Sequence, residues 1–248
     1  MFFFNPIREK LRQRTLAAYA RRSFSQDGED VVLMSLLARE GIDCAGFFVD
    51  VGAFHPVRYS NTYLFYCQGW RGINIDASPG SMLAFQRLRP EDINLEIAIA
   101  ESESERKLFL YNEPALNTFS EAVVDERSQL TNYWVESTQM VNTHTLSKVL
   151  VEYLPRDKEI DFLSVDVEGL DLEVLKSNDW ARYRPRFVIT EDLRAATLSQ
   201  AYTTPTACFL ADLGYLAVAR TMRSTIFASS ERAQELPYLL TANCGSAK

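Results

Sequence analysis

The sequence predicts an α/β sandwich: an open, mostly parallel sheet with helices on both faces, closed by an antiparallel hairpin. Three observations predict it. After Gly41, strand-like and helix-like segments alternate, the order that arises when parallel strands are joined by crossover helices. Residues 214–218 and 224–228 are two strand-like runs separated by a short polar turn, the pattern of a hairpin. The chain has 248 residues, 47% of them hydrophobic, which is enough for one sizeable core.

Each element has a local reason. Residues 1–40 are expected as a helical extension and residues 41–248 as a single domain. Ile7, Leu11, Leu16 and Tyr19 form a loose apolar stripe after Pro6, opposite a face of arginines. That stripe could lie on an anionic membrane surface, but because it is short it better fits an ordinary docking or oligomer-contact helix. The polar stretch Ser25-Gln26-Asp27-Gly28-Glu29-Asp30 then caps a second helix carrying Val31, Val32, Leu33, Leu36 and Leu37. Phe47-Phe48-Val49-Asp50-Val51 is an apolar run ending at Gly52 and reads as the first strand. Ser60-Asn61-Thr62 caps a helix through Tyr63, Leu64 and Tyr66. Residues 72–76 form the second strand, and Pro79 suits the first turn of a helix with the stripe Met82, Phe85, Leu88. Residues 93–99 are expected as a third strand. Residues 101–141 are less regular and read as an insertion over the sheet's edge, with one strand at 108–111. Thr143 or Thr145 caps a helix through Leu146, Val149, Leu150 and Tyr153, which Pro155 ends. Residues 160–165 make the fourth strand, 170–175 a helix and 187–190 the fifth strand. Thr204-Pro205 opens a helix to Leu213, before the hairpin.

Charge and cysteine usage narrow the partners. A net charge of −7 offers no general attraction to a polyphosphate, so nucleic acid is not expected. Basic residues concentrate instead at Arg8, Lys10, Arg12, Arg14, Arg21 and Arg22. They follow an apolar start, the reverse of a signal peptide's order, and no apolar run approaches the ~20 residues of a membrane span. Cys44, Cys67, Cys208 and Cys244 are widely spaced without a CxxC pair, so neither a zinc site nor a disulfide framework is expected. A cytoplasmic protein fits, peripheral to the inner face of the membrane if the first helix binds there.

In an open parallel sheet, ligands lie beyond the carboxyl ends of the strands, near the point where strand order reverses. The first strand ends in Asp50-Val51-Gly52-Ala53, the second in Asp76, the fourth in Asp166-Val167-Glu168-Gly169, the fifth in Glu191-Asp192. Acids gather at helix starts for electrostatic reasons, which explains any one of these better than all four. Gly52 permits a tight turn, and Asp76, 24 residues later, is placed to accept hydrogen bonds from ribose hydroxyls. An adenosine-bearing cofactor follows. The turn Gly52-Ala53-Phe54-His55-Pro56-Val57 lacks the second and third glycines that a dinucleotide's pyrophosphate needs. An acid before the turn suits instead the ammonium and sulfonium of S-adenosylmethionine.

Four blocks, Phe48-Val49-Asp50-Val51-Gly52-Ala53, Asn74-Ile75-Asp76-Ala77-Ser78-Pro79, Thr145-Leu146 and Ser164-Val165-Asp166-Val167-Glu168-Gly169, resemble the FkbM family of methyltransferases over roughly residues 25–192. The resemblance implies the class I methyltransferase sandwich, a seven-stranded Rossmann-like sheet whose last strand is antiparallel. It implies S-adenosylmethionine as cofactor and O-methylation of sugars or natural products. By it, Asp50, Gly52 and Ala53 would line the methionine part of the cofactor, Asp76 and Ala77 the ribose and adenine, and Ala98 the adenine's other face. Phe54-His55-Pro56 and Ser147 depart from the family's commoner residues, at the substrate end of the site.

An aliphatic acceptor hydroxyl needs its proton managed, by a general base or by a divalent cation. His55, Asp166, Glu168 and Glu191 qualify as the base; His144, the other histidine, precedes a helix cap. Asp166, Glu191 and Asp192 would suit magnesium. Gln26, with Asp27, either folds over the cofactor as a lid or caps the second helix, and Asp166 is a further candidate at the cofactor. Phe119, Tyr133 and Trp134 either stack on a sugar or pack the insertion onto its host. The expected activity is methyl transfer to a hydroxyl of a sugar in a glycan or glycolipid. The alternatives are a natural-product O-methyltransferase and a methyltransferase-like binding protein without turnover.

Overall fold

The structure is a computed structural model and describes residues 20–39, 45–192, 195 and 197–233. In chain order its strands are β1 (Phe47–Val51), β2 (Arg71–Asp76), β3 (Ile93–Glu96), β4 (Ala98–Ile99), β5 (Glu105–Tyr111), β6 (Val135–His144), β7 (Phe162–Val165), β8 (Phe187–Glu191), β9 (Tyr215–Arg220) and β10 (Ser224–Ser229). The helices are α1 (Glu29–Arg39), α2 (Tyr63–Cys67), α3 (Met82–Leu88), α4 (Glu121–Arg127), α5 (Leu146–Tyr153), α6 (Asp171–Lys176), α7 (Leu198–Ala201), α8 (Pro205–Asp212) and α9 (Ser230–Ala233).

The main sheet has seven strands in the order β3-β2-β1-β7-β8-β10-β9. Every neighbouring pair is parallel except those of β10, which runs antiparallel to both β8 and β9. Strand order therefore reverses between β1 and β7, and the last strand of the chain's hairpin slots in before its partner. Alternation along β1 feeds two cores. Phe47, Val49 and Val51 join Leu146, Val149 and Leu150 of α5, Val174 and Leu175 of α6 and Leu210 of α8 on one face. Phe48 joins Leu33 and Leu37 of α1, Phe65 of α2 and Trp70 on the other. Each such side chain contributes about 1.5–3 kcal/mol by leaving water. The helix starts follow their sequence signals: Thr145 accepts from the Lys148 amide and Thr204 from the Ala207 amide, the latter with Pro205 in the first turn.

Three departures have physical causes. Residues 93–99 do not form one strand: β3 stays in the main sheet while β4 leaves it to pair with β6 in a three-stranded side sheet, β4-β6-β5. The insertion is that side sheet with α4 and a short 3-10 turn at Pro114–Leu116. Its long strand β6 carries polar residues exposed on both faces, so the two-residue hydrophobic period that marks a strand is missing. Helix α1, expected within an extension, belongs to the sandwich, because Leu33 and Leu37 are fully buried in its second core. The basic helix expected around residues 7–19 lies outside the described residues. Among the described residues, no helix is long and apolar enough to cross a membrane.

Candidate active site

The reversal between β1 and β7 brings two strand ends into direct contact. Gly52 has φ +83°, and a Cβ there would stand 1.7 Å from the Asp166 carbonyl oxygen. The glycine is thus required by the protein's own backbone, since only a residue without a Cβ fits the turn. The Gly52 and Ala53 amides both donate to the Ile75 carbonyl, at 2.9 and 3.0 Å, and the Asp166 amide donates to that of Val51 at 2.9 Å. The ends of β1, β2 and β7 are locked together.

Two buried carboxylates flank this turn. Asp76 Oδ2 accepts from the Phe54 amide and Oδ1 from the Ser78 amide, at 2.8 and 2.7 Å. Burial nevertheless raises its pKa, against those bonds. Asp50 Oδ2 accepts from the Thr62 hydroxyl at 2.9 Å, and Thr62 Oγ1 in turn accepts from Arg89 Nη1 at 2.9 Å. Arg89 is wholly buried; its Nε donates to Asp92 at 2.8 Å and its guanidinium lies over the rings of Phe48, Phe85 and Tyr66. Burial lifts the Asp50 pKa, with Arg89 opposing.

Beyond β7 and β8 the carboxylates converge. Oxygens of Asp166, Glu168 and Glu191 lie within 4.8 Å of one another. Glu168 adopts a left-handed backbone, φ +53°, which turns its side chain back toward β8, where Arg127 of α4 pairs with it. Burial first, then the charges of Glu191 and Glu168, push the Asp166 pKa well up. Burial and then Asp166 do the same to Asp171 at the start of α6. Glu191 is pushed up to about 8 by burial, then by Glu168 and Asp171. A recess of about 320 Å³ opens beside the cluster, lined by Val123, Arg127, Glu168, Asp171, Glu191 and Pro205 among others. A smaller one on the other side includes Gln26, Tyr59, Asn61, Asp166, Glu191 and Arg223.

Residues 23–30 roof that smaller recess. Asp30 is fully buried and gathers the segment, accepting from the Ser23 hydroxyl and from the Phe24 and Val31 amides at 2.6, 2.7 and 2.8 Å. The segment is strapped to the β9–β10 turn by Arg223 Nη1 on Asp27, 2.9 Å, and by the Thr221 hydroxyl on Glu29, 2.5 Å. Of the two roles expected for Gln26 and Asp27, helix capping falls to Ser25 and Asp30 instead, and Gln26 sits exposed at the recess.

The structure thus brings together Asp166, Glu168 and Glu191, with Asp50, Gly52 and Asp76 at the neighbouring strand ends. Asp192 lines the same recess as Glu191 but does not join the carboxylate group. Nor is His55 placed to accept a proton. Its Nδ1 already accepts from the Val57 and Arg58 amides, at 3.1 and 2.9 Å, which puts the ring's proton on Nε2. Burial and Arg58 lower its pKa, so the ring is a neutral donor holding the turn. Ala53 packs its side chain against Met82 and Phe85, and Ala98 is buried in β4. Ala77 is partly exposed beside Asp76. Tyr133 and Trp134 are exposed, 41% and 55%, on the insertion, and Phe119 is half-buried. Arg89, Arg127, Asp171 and Arg223 escaped the sequence reading; of these only Asp171 had a signal, as an acid opening a helix directly after a strand end.

A main sheet whose strands, counted along the chain, lie in the order 3-2-1-4-5-7-6 with the seventh reversed is the architecture of the class I methyltransferases. The strand-end glycine turn and acids occupy that fold's ligand-binding edge. The chain belongs to the FkbM methyltransferase family: the model described as the methyltransferase FkbM domain matches residues 50–216. Among solved structures it is similar to a precorrin-6y C5,15-methyltransferase from Geobacter metallireducens GS-15, at 14% identity, covering 79% of this chain and 85% of that one, with a TM-score of 0.38. No curated protein matches.

Proposed function

We propose that this methyltransferase moves a methyl group from S-adenosylmethionine to a hydroxyl oxygen of a sugar in a glycan or glycolipid. The observation that carries the reading is the convergence of buried carboxylates and an open recess at the strand ends beside the Gly52 turn. The residues present fit the cofactor: two buried acids, Asp50 and Asp76, stand at adjacent strand ends, and each keeps acceptor capacity beyond its hydrogen bonds to the protein. Bound there, S-adenosylmethionine would supply an electrophilic methyl on a positively charged sulfur leaving group.

The chain's own residues do the rest. Asp50, held by the Thr62–Arg89 relay, faces the cofactor's cationic end, and Asp76 accepts from its ribose hydroxyls. Gln26 covers it from the strapped segment. An acceptor hydroxyl held in the larger recess would give its proton to a Glu191 oxygen. A carboxylate raised toward neutral pH is well matched to that proton transfer. Trp134 and Tyr133, exposed on the insertion, offer flat faces suited to sugar rings.

Calorimetric titration with S-adenosylhomocysteine, against NAD, tests the cofactor. Micromolar binding of the first and none of the second is expected; the reverse would overturn the reading. A screen of sugar acceptors with labelled cofactor tests the second half, where methylation confined to non-sugar hydroxyls would sink the sugar assignment.

A further inference from the structure

We propose that Asp166, Glu168 and Glu191 form a binding site for an oxygen-seeking divalent cation, magnesium or manganese, beside the acceptor recess. The inference rests on the reading of that recess as the acceptor site and adds a ligand to it. Three residues from two strand ends each present a carboxylate oxygen, and these lie within 4.8 Å of one another, so one ion can touch all three. Three protein oxygens, with further positions left to water or a substrate hydroxyl, match what magnesium takes.

A second observation points to a cation independently of the spacing. Asp171 is 5% exposed, lines the same recess as Glu168 and Glu191, and its Oδ1 has no hydrogen-bond partner. Oδ1 of Asp166 is likewise out of contact with water and unpartnered. Carboxylate oxygens withdrawn from water without a donor are costly, and a positive ion beside them removes that cost. Arg127 meets part of the need by pairing with Glu168. It is therefore the ion's competitor for that carboxylate, and an ion ligated by Glu168 displaces it. Each residue offers the ion one oxygen, which leaves the other oxygen of Glu191 to take the acceptor's proton, and such an ion would lower the pKa of an acceptor hydroxyl and fix its position.

The test is uptake of Mn²⁺ alone by the full chain, followed by loss of the free-ion EPR signal, with S-adenosylhomocysteine binding measured in parallel. One Mn²⁺ per chain is expected. Glu168→Gln and Glu191→Gln should each weaken uptake roughly tenfold or more, the loss that even an outer partner of a bound metal produces. Arg127→Gln should tighten it. No saturable uptake by the wild type, or uptake unchanged in both glutamine variants, would overturn the site. Should Glu191→Gln fail to fold, as judged by circular dichroism, Glu168→Gln and Arg127→Gln carry the test with their opposite signs. Cofactor binding retained while Mn²⁺ uptake fails rejects the cation site and leaves the methyltransferase reading standing. The converse pattern rejects that reading.

Discussion

Arg89 contributes no exposed surface, and its charge is met by Asp92 and, through Thr62, by Asp50. Removing one member of a buried ion pair leaves the other uncompensated, so Arg89→Met should destabilise the protein by about 3–5 kcal/mol in urea unfolding. Thr62→Val removes only the relay. It should weaken cofactor binding while costing less stability, a split that calorimetry and denaturation together would show. Asp76→Ala should cost cofactor affinity ~1.5–3 kcal/mol, the size of a hydrogen bond to a charged group; wild-type affinity would displace the ribose from Asp76. At this scale the sequence was legible where chemistry and position coincide. Asp50, Gly52, Asp76, Asp166 and Glu191 each close a strand, and strands show in the hydrophobic pattern. Arg89, Arg127 and Arg223 were not legible, because an arginine at a helix end or in a turn looks the same whether it faces water or a carboxylate.

At the scale of elements, the segment before α1 behaves as a strap whose buckle is the β9–β10 turn. Arg223→Gln removes the ion pair to Asp27 and leaves the Thr221–Glu29 bond. Amide exchange in residues 23–30 should then speed up several-fold while the core strands stay protected, since local opening draws on local contacts. Unchanged exchange would mean that Asp30's own bonds hold the segment. The main-sheet strands and the capped helices were readable because each pairs a burial period with a start or stop residue. Of the side sheet only β5 was readable, at residues 108–111: β6 is polar on both faces and takes its strand form from β5, its antiparallel partner along nearly its whole length. Backbone pairing of that kind leaves no hydrophobic trace.

At the scale of the molecule, the site sets the response to pH. Burial raises the pKa values of Asp166, Glu168, Asp171 and Glu191; neighbouring carboxylates add to the rise at Asp166, Asp171 and Glu191, while Arg127 opposes it at Glu168. A raised acid contributes stability that is complete below its unfolded value and is lost as pH climbs through its folded one. For Glu191 that window runs from 4.5 to about 8. The melting temperature of the metal-free protein should therefore fall across that range, and Glu191→Gln should flatten the decline in a calorimetric series. A steeper decline in the variant would contradict the assignment of that carboxyl as the raised one.

The strap also ties the site to the order in which the chain is made. Asp27 emerges from the ribosome 196 positions before Arg223. A nascent chain can pair β1, β2 and β7 as each appears, yet the roof over Asp166 has nothing to fasten to until β10 is in view. The roof is fastened only after the five parallel strands have been made, and a chain cut short before Thr221 would hold those five with an unroofed site.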